Sequence, residues 1–193
     1  MSAAQSTMVR SPLGLPKDTI VLQNPNPTWA EEASHTIQQL RNIFGDLAVD
    51  IQHIGSTAIP GIKAKPVIDI GIAVHDLAAI KSILPQLTAA GFIHRPRRDT
   101  PDYSMFVIGD IDAYFKTHHI HIDPHDSPGW HNRINFRDYL TAYPSKAREY
   151  EALKIELAEK HTNNRSEYLK GKAAFIERMF TEAAEWKKTR RSK

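Results

Sequence analysis

The sequence predicts an α+β domain: one amphipathic helix, then a mixed β-sheet, then a run of helices. Three observations carry this reading. Pro66 to Val74 (PVIDIGIAV) is almost continuously apolar, as a central strand covered on both faces should be. Residues 102–108 and 111–122 carry strand-type runs that meet at Gly109-Asp110, the pattern of an antiparallel pair. From about Pro128 onward, apolar residues recur at three- and four-residue spacing.

Each element follows in chain order. Residues 1–17, with Ser, Ala, Gly and Pro, read as a disordered leader. Thr19 to Leu22 is a short apolar run with the length of an edge strand. Asn26-Pro27 opens a helix, because proline suits a first turn and Glu31 and Glu32 suit its positive end. Trp29, Ala33, Ile37 and Leu40 give that helix a buried face, and Gly45 ends it. Ala48 to Ile54 is a strand running into a polar turn, and Leu77 to Ala90 is a helix closed by Gly91. The C-terminal region divides into helices around Trp130–Leu140, Tyr150–Ala158 and Tyr168–Phe180, with Pro144 as the first break. The domain thus spans 18–186, followed by a basic tail at 187–193.

Composition narrows the function classes. The chain has 193 residues, 41% of them hydrophobic, and a net charge of +3. It has no cysteine, which excludes disulfides, thiolate metal sites and a cysteine nucleophile. No apolar run approaches the length needed to span a bilayer, and the first residues lack a signal-peptide core. A cytoplasmic protein without membrane contact is the expectation. Lys187, Lys188, Arg190, Arg191 and Lys193 concentrate charge at the end; they read as a solvated tail or as an attraction for a polyanion such as RNA.

Three motifs carry chemistry. The first is His53-Ile54-Gly55-Ser56-Thr57-Ala58-Ile59-Pro60-Gly61, where a strand ends in small and hydroxylated residues. Gly55 permits close backbone approach to a ligand, Ser56 and Thr57 add hydroxyls, and Lys63 and Lys65 add positive charge. The same composition also makes a plain turn. The second is Asp69, a carboxylate in the middle of an apolar strand, which is costly unless paired, hydrogen-bonded or metal-bound. The third is His118-His119-Ile120-His121-Ile122-Asp123. On a strand, His119, His121 and Asp123 share one face while Ile120 and Ile122 share the other. Such a face can bind metal, bind phosphate or move protons.

HIGSTAIPG-x-x-AKPVIDI, the His-x-His strand, Phe136–Leu140 (FRDYL), Leu153-Lys154 and Tyr168-x-x-x-Lys172 together resemble the GrpB family of nucleotidyltransferase-like domains over about residues 20–180. The resemblance implies a nucleotidyltransferase-like mixed β-sheet with flanking helices and a C-terminal helical segment. It puts Gly55-Ser56 in the place of the superfamily's phosphate-binding Gly-Ser and Asp69 in that of its first metal carboxylate. Arg137, Lys154 and Lys172 fall on family motifs as further phosphate contacts. The chain departs from the wider superfamily at Gly71, where a second strand carboxylate is usual; Asp123, or Asp110 and Asp112, are the candidates to replace it.

The expectation is therefore a transferase acting on a nucleotide or another phosphate-bearing substrate. Asp69, His119 and His121 are its catalytic residues, and Asp69 with Asp123 holds Mg2+. It transfers a nucleotidyl or an activated acyl group, the latter extending to tRNA-linked amide formation. Two other readings compete: a non-catalytic nucleotide-binding or regulatory domain, and a transition-metal protein using His53, His119, His121 and Asp123.

Overall fold

The computed structural model describes residues 13–16, 18–110 and 115–191. Five strands form one mixed sheet in the order β1-β2-β5-β4-β3: β1 Ala48–Ile54, β2 Ile68–Val74, β3 Ile93–His94, β4 Ser104–Asp110 and β5 Phe115–Pro124. β2 and β5 are the parallel pair, and every other pairing is antiparallel. The helices are α1 Thr28–Phe44, α2 Leu84–Ala89, α3 Pro128–Ala142, α4 Pro144–Lys160, α5 Arg165–Gly171 and α6 Ala173–Arg191.

Strand period divides the sheet into two faces. Ile68, Ile70, Ile72, Phe106, Ile120 and Ile122 pack against Leu40 and Phe44 of α1 and against Ile80, Ile83 and Leu87. The other face carries Asp69, His119 and His121, in register with one another: Asp69 pairs with His119 and Gly71 with His121. A second core beneath the C-terminal helices joins Ile59 and Ile62 to Phe136, Leu140, Tyr150, Phe175 and Met179. These helices therefore wall off the polar face instead of covering it completely.

The predicted elements recur with defined changes. β1 has the expected limits, and α1 ends at Gly45, whose positive φ of 49° suits a residue without a side chain. Residues 19–22 form no strand; Gln23 makes an isolated bridge to Ala64 instead. The helix predicted over 77–90 is a 3-10 turn, Leu77–Ile83, followed by α2, because Pro85 lacks the N–H that would continue the ladder. Gly109 and Asp110 belong to β4 itself, and the connection, residues 111–114, lies outside the described residues, as does Asp112. The third predicted C-terminal helix is two, α5 and α6.

Both ends also differ from the simplest reading. The described leader residues 13–16 dock on the sheet, with the Gly14 amide donating to Pro66 O and Leu15 bridging to Lys116. The rest of the predicted leader lies outside the described residues. Lys187 to Arg191 continue α6, and Lys187 Nζ lies 3.5 Å from the Asp138 carboxylate.

Candidate functional site

Gly55 turns the chain at the end of β1 with φ of 70°. A Cβ on it would strike the Asp69 carboxylate, so the loop backbone lies directly against that acid. Ser56 to Ala58 then form a single 3-10 turn. Asp69 Oδ1 is met by His119 Nδ1 at 3.1 Å and by His121 Nε2 at 3.4 Å. Tyr103 Oη approaches the other nitrogen of His121, Nδ1, at 2.8 Å.

Electrostatics fix the protons in this chain. Burial opposes ionisation of Asp69, but the hydrogen bonds from His119 and His121 outweigh it and hold the carboxyl well below its ordinary range. Burial likewise lowers the His121 pKa, against the pull of Asp69. A carboxylate only accepts, so each imidazole nitrogen facing Asp69 carries its hydrogen. His121 then accepts from Tyr103 through Nδ1. With Nδ1 of His119 committed to Asp69, its Nε2 is the nitrogen left for another partner on a residue that lines the pocket, an acceptor in the neutral ring.

That pocket encloses about 300 Å³ between the sheet and the C-terminal helices. Gly55, Ser56, Asp69, His119 and His121 line it, and Lys65, Arg133, Lys154, Arg165 and Lys172 add basic side chains to the same lining. Aromatic rings carry those cations: Lys65 Nζ and Lys172 Nζ lie 5.5 and 5.2 Å from the centre of the buried Tyr168 ring. Lys154 Nζ sits 4.6 Å from the Tyr150 ring centre and donates to Lys63 O. Burial is the main reason the Lys65 pKa falls to about 8 and the Lys154 pKa to about 7, with neighbouring cations adding to the effect.

The profile of the GrpB protein family matches residues 19–182. The chain belongs to the GrpB family. It is 35% identical over 172 residues to the Glutamate-rich protein GrpB of Alkalihalophilus pseudofirmus, covering 88% of this chain and 99% of that one. It is 34% identical to the UPF0157 protein YqkA of Bacillus subtilis, covering 91% of this chain but only 50% of the relative. Among solved structures, GrpB from Enterococcus faecalis superposes with a TM-score of 0.79 at 28% identity, over 86% of this chain and 98% of that one.

Within this GrpB fold, several predicted site residues stand elsewhere. His53 pairs with Ile70, on the face of the sheet opposite Asp69, and bonds Thr57 Oγ1 at 2.8 Å. This histidine–threonine contact braces the loop from behind. Arg137 also acts from outside: it donates to His53 O at 2.8 Å and pairs with Asp138 at 2.6 Å. Lys63 lines a separate groove beside Asn24 and Pro27, and its amide donates to Glu151.

Asp123 shares the face of His119 and His121, but its buried carboxylate is 2.9 Å from Arg133 Nε. Among the described residues, the group able to converge on one ion is Asp69, His119 and His121, with one ligand atom each within 4.8 Å of the others. Asp110 stands three residues along β4 from Val107, the partner of His119. At Gly71 a Cβ would meet Trp130 Cζ3 at 3.1 Å and Ile54 Cδ1 at 3.2 Å. The space beside Gly71, where the resemblance would place a second carboxylate, is bordered closely by an indole ring and an isoleucine.

Tyr103, Arg133 and Arg165 are site residues that local sequence signals did not reveal. Tyr103 lies just before β4, and the Arg133 guanidinium stacks 5.2 Å from its ring centre. Arg165 is the first residue of α5.

Proposed function

We propose that this GrpB-family protein is a nucleotidyltransferase-like transferase whose pocket binds a phosphate-bearing or activated substrate and uses His119 as general base. The supporting observation is the Asp69–His119 contact, which turns Nε2 of His119 into the free acceptor of a cation-lined pocket. In the proposed reaction, His119 Nε2 takes the proton of an acceptor hydroxyl or amine. The acceptor then attacks the phosphorus or acyl carbon of the donor, and the donor's leaving group departs with the bonding pair. Lys65, Lys154 and Lys172 hold the anionic part of the donor and oppose the charge that develops. His119 and His121 keep Asp69 ionised, and Tyr103 orients His121 through its hydrogen bond to Nδ1.

The donor set does not fit a pair of Mg2+ ions. Mg2+ favours oxygen ligands, yet Asp69 is flanked by two imidazoles, Gly71 supplies no carboxylate and is closely bordered by Trp130 and Ile54, and Asp123 is paired. One Mg2+ on Asp69, completed by substrate phosphates, is what these residues allow. When bound there, it would neutralise phosphate charge.

The acyl variant of this proposal, amide formation from an aminoacyl-tRNA, draws on the same base and cations and needs no metal. The lack of a carboxylate at Gly71 favours a second reading, a phosphate-binding domain without turnover. Thermal unfolding with ATP or GTP, with and without Mg2+, followed by product analysis after long incubation, separates the readings. The proposal expects stabilisation and a product that His119→Ala abolishes. Stabilisation independent of Mg2+ without product supports the second reading, and no stabilisation by either nucleotide contradicts both.

A further inference from the structure

A second cavity of about 560 Å³ adjoins the first and shares its wall at Lys65, His119 and Arg165. Its charge is one-sided. Arg95 and Arg98 enter from the turn after β3 and Lys116 from β5, so that with Lys65 and Arg165 five basic side chains, three of them arginines, line the cavity with one acid, Asp18. Arg98 is exposed and Arg95 half-buried, so neither is needed to fill a core. Arg165 provides a sharper sign. Its Nε is buried with no hydrogen-bond partner among the described residues, a position that costs free energy until an acceptor arrives.

The cations stand around the cavity on separate elements: the turn at 96–98, β5, the segment before β2, and α5. A single small anion has few oxygens to share among side chains that come from four separate elements. Two or more linked phosphates offer more oxygens to these groups, and guanidinium groups match phosphate oxygens in bidentate geometry. His119 lines both cavities, so a chain of phosphates lying in the second one delivers its end to the first.

We propose that the second cavity is a binding site for a pyrophosphate-type group, as carried by a nucleoside di- or triphosphate, with its reacting end at His119. The orientation rests on His119 acting as the base; the anion site itself does not.

Calorimetric titration of the full chain with inorganic pyrophosphate and with ADP tests this. Arg95→Ala/Arg98→Ala is expected to weaken pyrophosphate at least about tenfold, with an unchanged melting temperature as the check on folding. Arg165→Met is expected to weaken it similarly. Asp69→Asn disables the proposed reacting end yet should retain pyrophosphate binding, so a failed reaction and a failed anion site are told apart. Absence of pyrophosphate binding to the wild type overturns the proposal. So does binding that survives in the arginine variants but is lost in Lys172→Met, which would place the anion in the first cavity. A short oligoribonucleotide that binds where pyrophosphate does not would also overturn it, in favour of a phosphodiester backbone.

Discussion

At Gly55 the absence of a side chain is a condition of the site. The backbone there has positive φ, and the Asp69 carboxylate occupies the space of a Cβ. Gly55→Ala must move either the loop or the acid, so we expect a loss of about 1–3 kcal/mol in chemical denaturation, together with loss of ligand binding. Gly71 presents the opposite test. Introducing a carboxylate by Gly71→Asp forces a charge against Trp130 and Ile54, and should cost at least about 2 kcal/mol without creating a metal site. Increased stability with Mg2+ in that variant would refute the packing account. Asp69 was legible in the sequence because a carboxylate in an apolar strand demands partners. The fate of Asp123 was not: its partner, Arg133, lies ten residues on, in a helix whose docking angle leaves no local trace.

Among the elements, strand period carried most of the information. Alternation along β5 placed His119 and His121 on one face and the isoleucines on the other, as found. The same rule sends His53 to the far face, but its register against β2 had to be known first. The two-residue β3 and the division between α5 and α6 leave weaker marks, because a short edge strand and a one-turn break depend on what they pack against. α4 brings Lys154 into the pocket as a buried amine, an arrangement that costs solvation whenever the group is charged. Lys154→Met should therefore alter stability by no more than about 1–2 kcal/mol, since the lost bond to Lys63 O is offset by the relieved burial. Its stabilisation by sulfate in thermal unfolding should fall markedly. A large loss of stability with sulfate response intact would show that the lysine is only structural.

At the scale of the molecule, titration ties stability to the site. Burial, the largest cause for each, lowers His53 and His118 from 6.5 to about 4. Between these values the unfolded chain binds more protons than the folded one. Their contribution is complete above pH 6.5 and is lost as pH falls towards 4, on the order of 2–3 kcal/mol for each. Urea midpoints measured from pH 7 to 4.5 should show that decline, with a shallower slope in His118→Gln. The lysines act in the other pH range. Lys65 and Lys154 lose their protons near 8 and 7, so sulfate, whose charge is constant there, should stabilise the protein at pH 6 and progressively less through pH 7 to 8.

Nitrogen-detected NMR of the histidine rings reads the Asp69–His119–His121 arrangement most directly. The arrangement predicts a hydrogen on Nδ1 of His119 and on Nε2 of His121, the nitrogens that face Asp69, and a His119 Nε2 resonance that moves on addition of nucleotide. A His119 ring that carries its hydrogen on Nε2, or that is unchanged at saturating nucleotide, would contradict the assignment of this residue as the base.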